Sequence, residues 1–102
     1  MDTQDALVIS RKFAQAVSET FDYKYIFLFG SYTKGTSHPE SDIDIAVVFE
    51  DYPDTLQMQL ELMRLRRKID TRIEPHPFRE KDFISSNPLV YEILKYGQEI
   101  TD

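Results

Sequence analysis

The chain has 102 residues, a formal charge of −6, no cysteine, and 41% apolar and 13% aromatic residues; that fits one folded domain over residues 1–102 and excludes disulfides, a thiolate metal site and a cysteine nucleophile. An acidic balance lacks the sequence-independent grip on phosphate that long nucleic acid requires, so such a ligand is not expected. No apolar run is long enough to cross a bilayer and the start, MDTQDALVIS, is polar, so no membrane span or signal peptide is expected and the expected location is the cytoplasm.

Residues 4–21 read as an amphipathic helix, with Ile9, Phe13, Val17 and Phe21 recurring every four positions. Residues 23–29, YKYIFLF, are aromatic and β-branched and end at Gly30, the pattern of a buried strand. A loop of Gly, Ser, Thr and Pro follows, and residues 43–49, IDIAVVF, read as a second strand that Asp51 to Asp54 terminate. A helix over 54–68 takes Asp54 as N-cap and sets Leu56, Leu60 and Met63 on one face, with Leu62 and Leu65 beside them. Residues 69–78 alternate as a third strand, whose Pro75 and Pro77 demand an edge position or an exit. After a connector over 79–86, Asn87-Pro88 opens a helix over 88–96 that stops at Gly97. The order predicts an α/β (α+β) fold, a small mixed sheet flanked by helices.

The chemistry concentrates in GSYTKGTSHPESDID, residues 30–44. Strand alternation points Asp42 and Asp44 the same way while Ile43 and Ile45 enter the core. Two carboxylates so close repel each other, and a divalent cation removes the conflict. Mg²⁺ takes oxygen ligands, commonly one or two carboxylates plus substrate phosphates, so the pair reads as a metal site completed by a nucleotide. Gly30 and Gly35 permit close approach, and Ser31 offers a hydroxyl and an N–H to a phosphate oxygen; a short helix starting there would add its N-terminal N–H groups. Such a set implies phosphoryl or nucleotidyl transfer. A third carboxylate would come from the third strand, where Asp70 and Glu74 lie four apart on one face; Glu74, mid-strand, is preferred, as general base or further metal ligand.

The form GS-x3-G-x5-SDIDI, with a ten-residue spacer between Ser31 and Asp42, resembles the signature of the nucleotidyltransferase superfamily related to DNA polymerase β, and within it the minimal nucleotidyltransferase (MNT-type) group. The resemblance is specific over residues 25–49 and looser over 50–97. It implies that Gly30, Ser31 and Ser41 serve the nucleotide, that Asp42 and Asp44 bind Mg²⁺, and that Glu74 is the third acid. It implies transfer of a nucleoside monophosphate from ATP or another NTP to a hydroxyl on a protein, a small molecule or a nucleic-acid end. Minimal members often pair with a helical HEPN-type protein in toxin–antitoxin modules. The competing expectation is an antitoxin-like subunit that acts by binding such a partner with weak or no catalysis.

Other residues have plainer readings. Arg64, Arg66, Arg67, Lys68 and Arg72 form a basic cluster, a solvated helix end or a local site for a phosphate or acidic partner. His38 belongs to an exposed loop. His76 shares the face of Glu74; it is first a packed or solvated strand-end residue and second a residue lining the site. Lys34 can reach a phosphate, yet its order relative to the glycines is not that of a Walker A loop. Tyr23, Tyr25, Phe27 and Phe29 read as core. Tyr91 and Tyr96 are expected to pack on the sheet or to form part of a dimer or partner face.

Overall fold

A computed structural model describes residues 2–38 and 40–101. Helix α1 spans Thr3–Thr20 and starts with a capping box. Asp2 Oδ1 accepts from the Asp5 N–H at 2.9 Å, and the Asp2 N–H donates to Asp5 Oδ2 at 3.2 Å, which satisfies donors the helix itself leaves open. Its buried face carries Ala6, Leu7, Phe13, Ala14 and Val17, together with Ser10, whose hydroxyl donates to the Ala6 carbonyl at 2.7 Å.

Strand β1 (Tyr25–Phe29) runs into a one-turn helix, α2 (Ser31–Lys34), and then to strand β2 (Ile43–Phe49). β1 and β2 pair antiparallel, Phe29 opposite Asp44. Helix α3 (Thr55–Arg66), capped by Asp54, crosses to strand β3 (Ile73–Arg79), which pairs parallel with β2; a parallel pair needs such a crossover. A 3₁₀ turn (Glu80–Asp82) leads to helix α4 (Pro88–Tyr96), with Asn87 as N-cap and Pro88 in its first turn. The chain closes with β4 (Gln98–Glu99), antiparallel to β1, giving the sheet order β3-β2-β1-β4. The mixed α+β architecture is the expected one.

Alternation sends Ile26 and Leu28 of β1, Ile43, Ile45, Val47 and Phe49 of β2 and Ile73 of β3 to one face. There they form the main core with α1 and α3, through Phe13, Val17, Met58 and Leu62. The opposite face holds a smaller cluster of Phe29, Ala46 and Ile93, flanked by Phe27, Phe78 and Phe83. The start of that second face carries the acids.

Four expectations need correction. The helix over 54–68 presents Met58 and Leu62 to the core, while Leu56 and Leu60 are 65% and 42% exposed. Both sides of this helix are apolar, and packing against α1 and β3 selects the side. The third strand begins at Ile73, since residues 67–72 are a turn. Asp70 Oδ1 accepts from the Arg72 N–H at 2.9 Å, and the Ile73 N–H donates to the Asp70 carbonyl at 3.2 Å, which holds Asp70 off the strand. Tyr91 and Tyr96 are 53% and 47% exposed, which overturns packing on the sheet but not a place on a partner face; Val90 and Ile93 take the buried places on α4. Likewise Tyr25 is exposed and Phe27 half-buried, because Ile26 and Leu28 alternate toward the main core.

The prolines of β3 sit as expected on an edge. Residues 73 and 75 turn their carbonyls outward, where Arg66 Nη1 donates to the Ile73 carbonyl at 2.8 Å and Gln59 Nε2 to the Pro75 carbonyl at 3.3 Å. In a strand the N–H of a residue points with its carbonyl, so Pro75 and Pro77 lack an N–H only on the side away from β2. The edge is thereby closed to a further strand.

Candidate active site

Three strand ends meet on the face that carries α4: the exit of β1 and the starts of β2 and β3. Asp44 lies between Phe29 and Glu74 in register. Neighbouring strands are about 4.8 Å apart, so the Asp44 and Glu74 carboxylates project from adjacent positions on one face. Asp42 is exposed and directly precedes β2. The Ile43 N–H donates to the Arg72 carbonyl at 2.9 Å, so pairing with β3 reaches back to this point and Asp42 shares the side of Asp44.

Gly30 fixes the geometry. Its φ is +82°, and a Cβ built on it would fall 2.3 Å from Asp44 Oδ2. No other residue allows this backbone to lie against that carboxylate. The turn then winds directly into α2, where Thr33 donates twice to the Gly30 carbonyl, from N–H at 3.1 Å and from Oγ1 at 3.0 Å. The Gly35 N–H donates to the Ser31 carbonyl and closes the helix. Thr3 Oγ1 donates to the Tyr32 carbonyl at 2.8 Å and ties the turn to α1. Ser31 is half-buried at the first position of this turn, next to Gly30. Ser41 is buried in the returning loop: its Oγ accepts from the His38 N–H and its own N–H donates to the His38 carbonyl, both at 2.9 Å. It braces the loop that delivers Asp42.

Asp70 stands apart from this group. Its two oxygens take Arg72 Nε at 2.9 Å and Nη2 at 2.6 Å. The guanidinium holds the Asp70 carboxyl below its ordinary range, chiefly through the side-chain hydrogen bond, and the same contact raises Arg72. The basic cluster also divides: Arg72 pairs with Asp70, while Arg64, Arg66 and Arg67 line a hollow of about 350 Å³ beside α3 with Leu60 and Met63, and Arg66 also caps a β3 carbonyl. Lys34 pairs with Glu92 of α4 and lies over the Tyr96 ring.

His76 lines the site, the second of the two roles its position beside Glu74 offers. Its Nε2 lies 3.2 Å from Asp44 Oδ1. Its register partner is Ala46, whose methyl leaves room for the imidazole to lean across to Asp44, and the Phe29 ring meets it edge-on at 5.1 Å. The available signal was the two-residue offset from Glu74, which becomes informative only once β2 and β3 are aligned.

The donor set suits a hard cation. Asp42, Asp44 and Glu74 offer oxygen only, all are at least partly open to solvent, and among the described residues no lysine or arginine forms an ion pair with them. No group of three His, Cys, Asp or Glu side chains among the described residues is already gathered as a metal cage. No helix among the described residues is long and apolar enough to cross a membrane.

Protein adenylyltransferase MntA of Shewanella oneidensis is 32% identical over 75 residues, which is 74% of this chain and 51% of that protein. The chain spans little more than half the length of the curated relatives it matches: 51%, 57% and 62%. Among solved structures, a toxin–antitoxin complex with AMP-PNP superposes with a TM-score of 0.70 at 28% identity, over 90% of this chain and 72% of that one. A chain from the structure of a tri-AMPylated Shewanella oneidensis HEPN toxin in complex with MNT antitoxin shares the fold, with a TM-score of 0.66 at 22% identity, over 94% of this chain and 71% of that one. The model of the family described as polymerase beta, nucleotidyltransferase matches residues 11–102. With that match over most of its length, the chain belongs to the polymerase beta nucleotidyltransferase family.

Proposed function

We propose that residues 1–102 act as one nucleotidyltransferase unit that moves a nucleoside monophosphate from ATP to a hydroxyl on a partner protein. The observation that carries this is the meeting of Gly30, Asp44 and Glu74 at adjacent strand ends, with Asp42 one step before β2. The family match and the likeness to a protein adenylyltransferase support the reaction class and a protein acceptor. The likeness to a toxin–antitoxin complex with AMP-PNP supports an adenine nucleotide and, with the family resemblance, a HEPN-type partner.

Asp42, Asp44 and Glu74 would hold Mg²⁺, with nucleotide phosphates completing a donor set that the protein does not supply alone. When bound, the ion would neutralise phosphate charge and help orient the triphosphate. Gly30 and Ser31 bring backbone against the triphosphate, and Ser41 keeps the returning loop in place. In the transfer, the acceptor oxygen bonds to the α-phosphorus, the bond from that phosphorus to the bridging oxygen breaks, and pyrophosphate leaves. Taking the hydroxyl proton is the other role open to Glu74, as general base instead of metal ligand. The site opens at a sheet end, so a partner would supply much of the acceptor's surroundings. Such a reaction belongs in the cytoplasm, where ATP is abundant.

The likeness to a toxin–antitoxin complex also favours a second reading, an antitoxin that acts by binding its partner. Calorimetry separates the two. The protein should bind ATP with Mg²⁺, and Asp42→Asn/Asp44→Asn should lose that binding and the ability to neutralise a helical partner. No nucleotide binding by the unchanged protein contradicts the active-site reading. Neutralisation that survives the double change supports binding alone.

A further inference from the structure

The two oxygens of Asp44 have different neighbours. Oδ2 faces the Gly30 backbone, and Oδ1 lies 3.2 Å from His76 Nε2. The imidazole is itself held, edge-on to Phe29 at 5.1 Å and across from Ala46, so it is a fixed object against which a carboxylate can register. The terminal torsion of an aspartate is broad and sets the carboxylate plane only weakly by itself. A carboxylate that binds a cation is commonly oriented by a hydrogen bond from behind, and loss of such a partner weakens metal binding by about 10- to 100-fold.

We infer that His76 is a positioning residue, whose Nε2–H donates to Asp44 Oδ1 and sets the rotation of the carboxylate toward the cation it shares with Asp42. The inference rests on the metal-site reading above. A histidine that only fills space would do the same work as an apolar ring of similar size. A histidine that binds the cation directly would add nitrogen to the ligand set. These alternatives predict different outcomes.

The test is Mn²⁺ titration of the full chain in the presence of α,β-methylene-ATP, whose phosphates complete the donor set but which cannot transfer its nucleoside monophosphate, followed by electron paramagnetic resonance, without acceptor. His76→Ala should weaken Mn²⁺ binding about 10- to 100-fold. His76→Gln, which retains an N–H donor, should recover most of the loss, and the Mn²⁺ spectrum of the unchanged protein should show no directly bound nitrogen. His76→Phe fills the place beside Phe29 without a donor; it should bind as weakly as His76→Ala and stands in for it if the cavity unfolds the chain. Binding by His76→Phe as tight as that of the unchanged protein overturns the inference, as does a nitrogen hyperfine coupling that marks His76 as a ligand. Mn²⁺ binding that needs Asp44 but ignores His76 sinks this inference alone. Absence of binding, or binding indifferent to Asp44→Asn, sinks the metal-site reading and this inference with it.

Discussion

At Gly30, one added methyl would meet the Asp44 carboxylate at 2.3 Å on a backbone with φ +82°. Gly30→Ala therefore has a local steric effect and a local backbone effect, the latter worth about 1–2 kcal/mol. Displacing Asp44 by an ångström should lower transfer about 100-fold, well beyond what the stability loss explains; paired rate and urea-unfolding measurements check this. Glu74 and Asp70 separate just as cleanly. Glu74→Gln should lower the transfer rate about 10²- to 10⁴-fold, whereas Asp70→Asn should leave it near that of the unchanged protein. Asp70→Asn acts on stability instead. Arg72 lowers the Asp70 pKa, so this pair stabilises the fold above the unfolded-state pKa of Asp70 and loses its contribution as pH falls through the folded value. Denaturant midpoints of the two proteins should differ at neutral pH and converge in acid. Gly30, Ser31, Asp42 and Asp44 were legible as a group because they sit on one short stretch with fixed spacing. The choice between Asp70 and Glu74 depends on where β3 begins, which a turn with Arg72 decides. The contact of His76 with Asp44 depends on strand register, which one sequence read alone does not carry.

Elements were readable where one physical signal dominated. β2 and α4 fall at the expected residues, since Asp54 and Pro53 follow the first and Asn87-Pro88 and Gly97 bracket the second. α3 was harder. Leu56, Met58, Leu60, Leu62, Met63 and Leu65 surround it with apolar side chains, so periodicity finds two faces and only the docking of α1 and β3 chooses one. Leu62→Ala should cost about 2–5 kcal/mol, while Leu60→Gln should change stability by no more than about 0.5 kcal/mol. Equal losses in urea unfolding would mean that α3 is rotated from the orientation described. β4 had no legible signal at all: two polar residues, Gln98 and Glu99, become a strand only by pairing with Leu28 and Phe27.

The whole molecule separates its stability from its chemistry. The larger core lies beneath α1 and α3, on the face away from Asp44 and Glu74. The acids stand where three strand ends open to solvent. Because of this division, neutral replacements of Asp42 and Asp44 should leave the fold intact, which makes the chemistry separable by experiment. The central claim is that this end of the sheet transfers a nucleoside monophosphate. Transfer from ATP labelled at the α-phosphate, compared with ATP labelled at the γ-phosphate, tests it most directly, with a helical partner protein and Mg²⁺ present. The account predicts that α-label appears on the partner, that γ-label does not, and that Asp42→Asn/Asp44→Asn abolishes the signal while the protein stays folded. Label arriving from the γ-phosphate, or α-label transfer undiminished in the double variant, would contradict it.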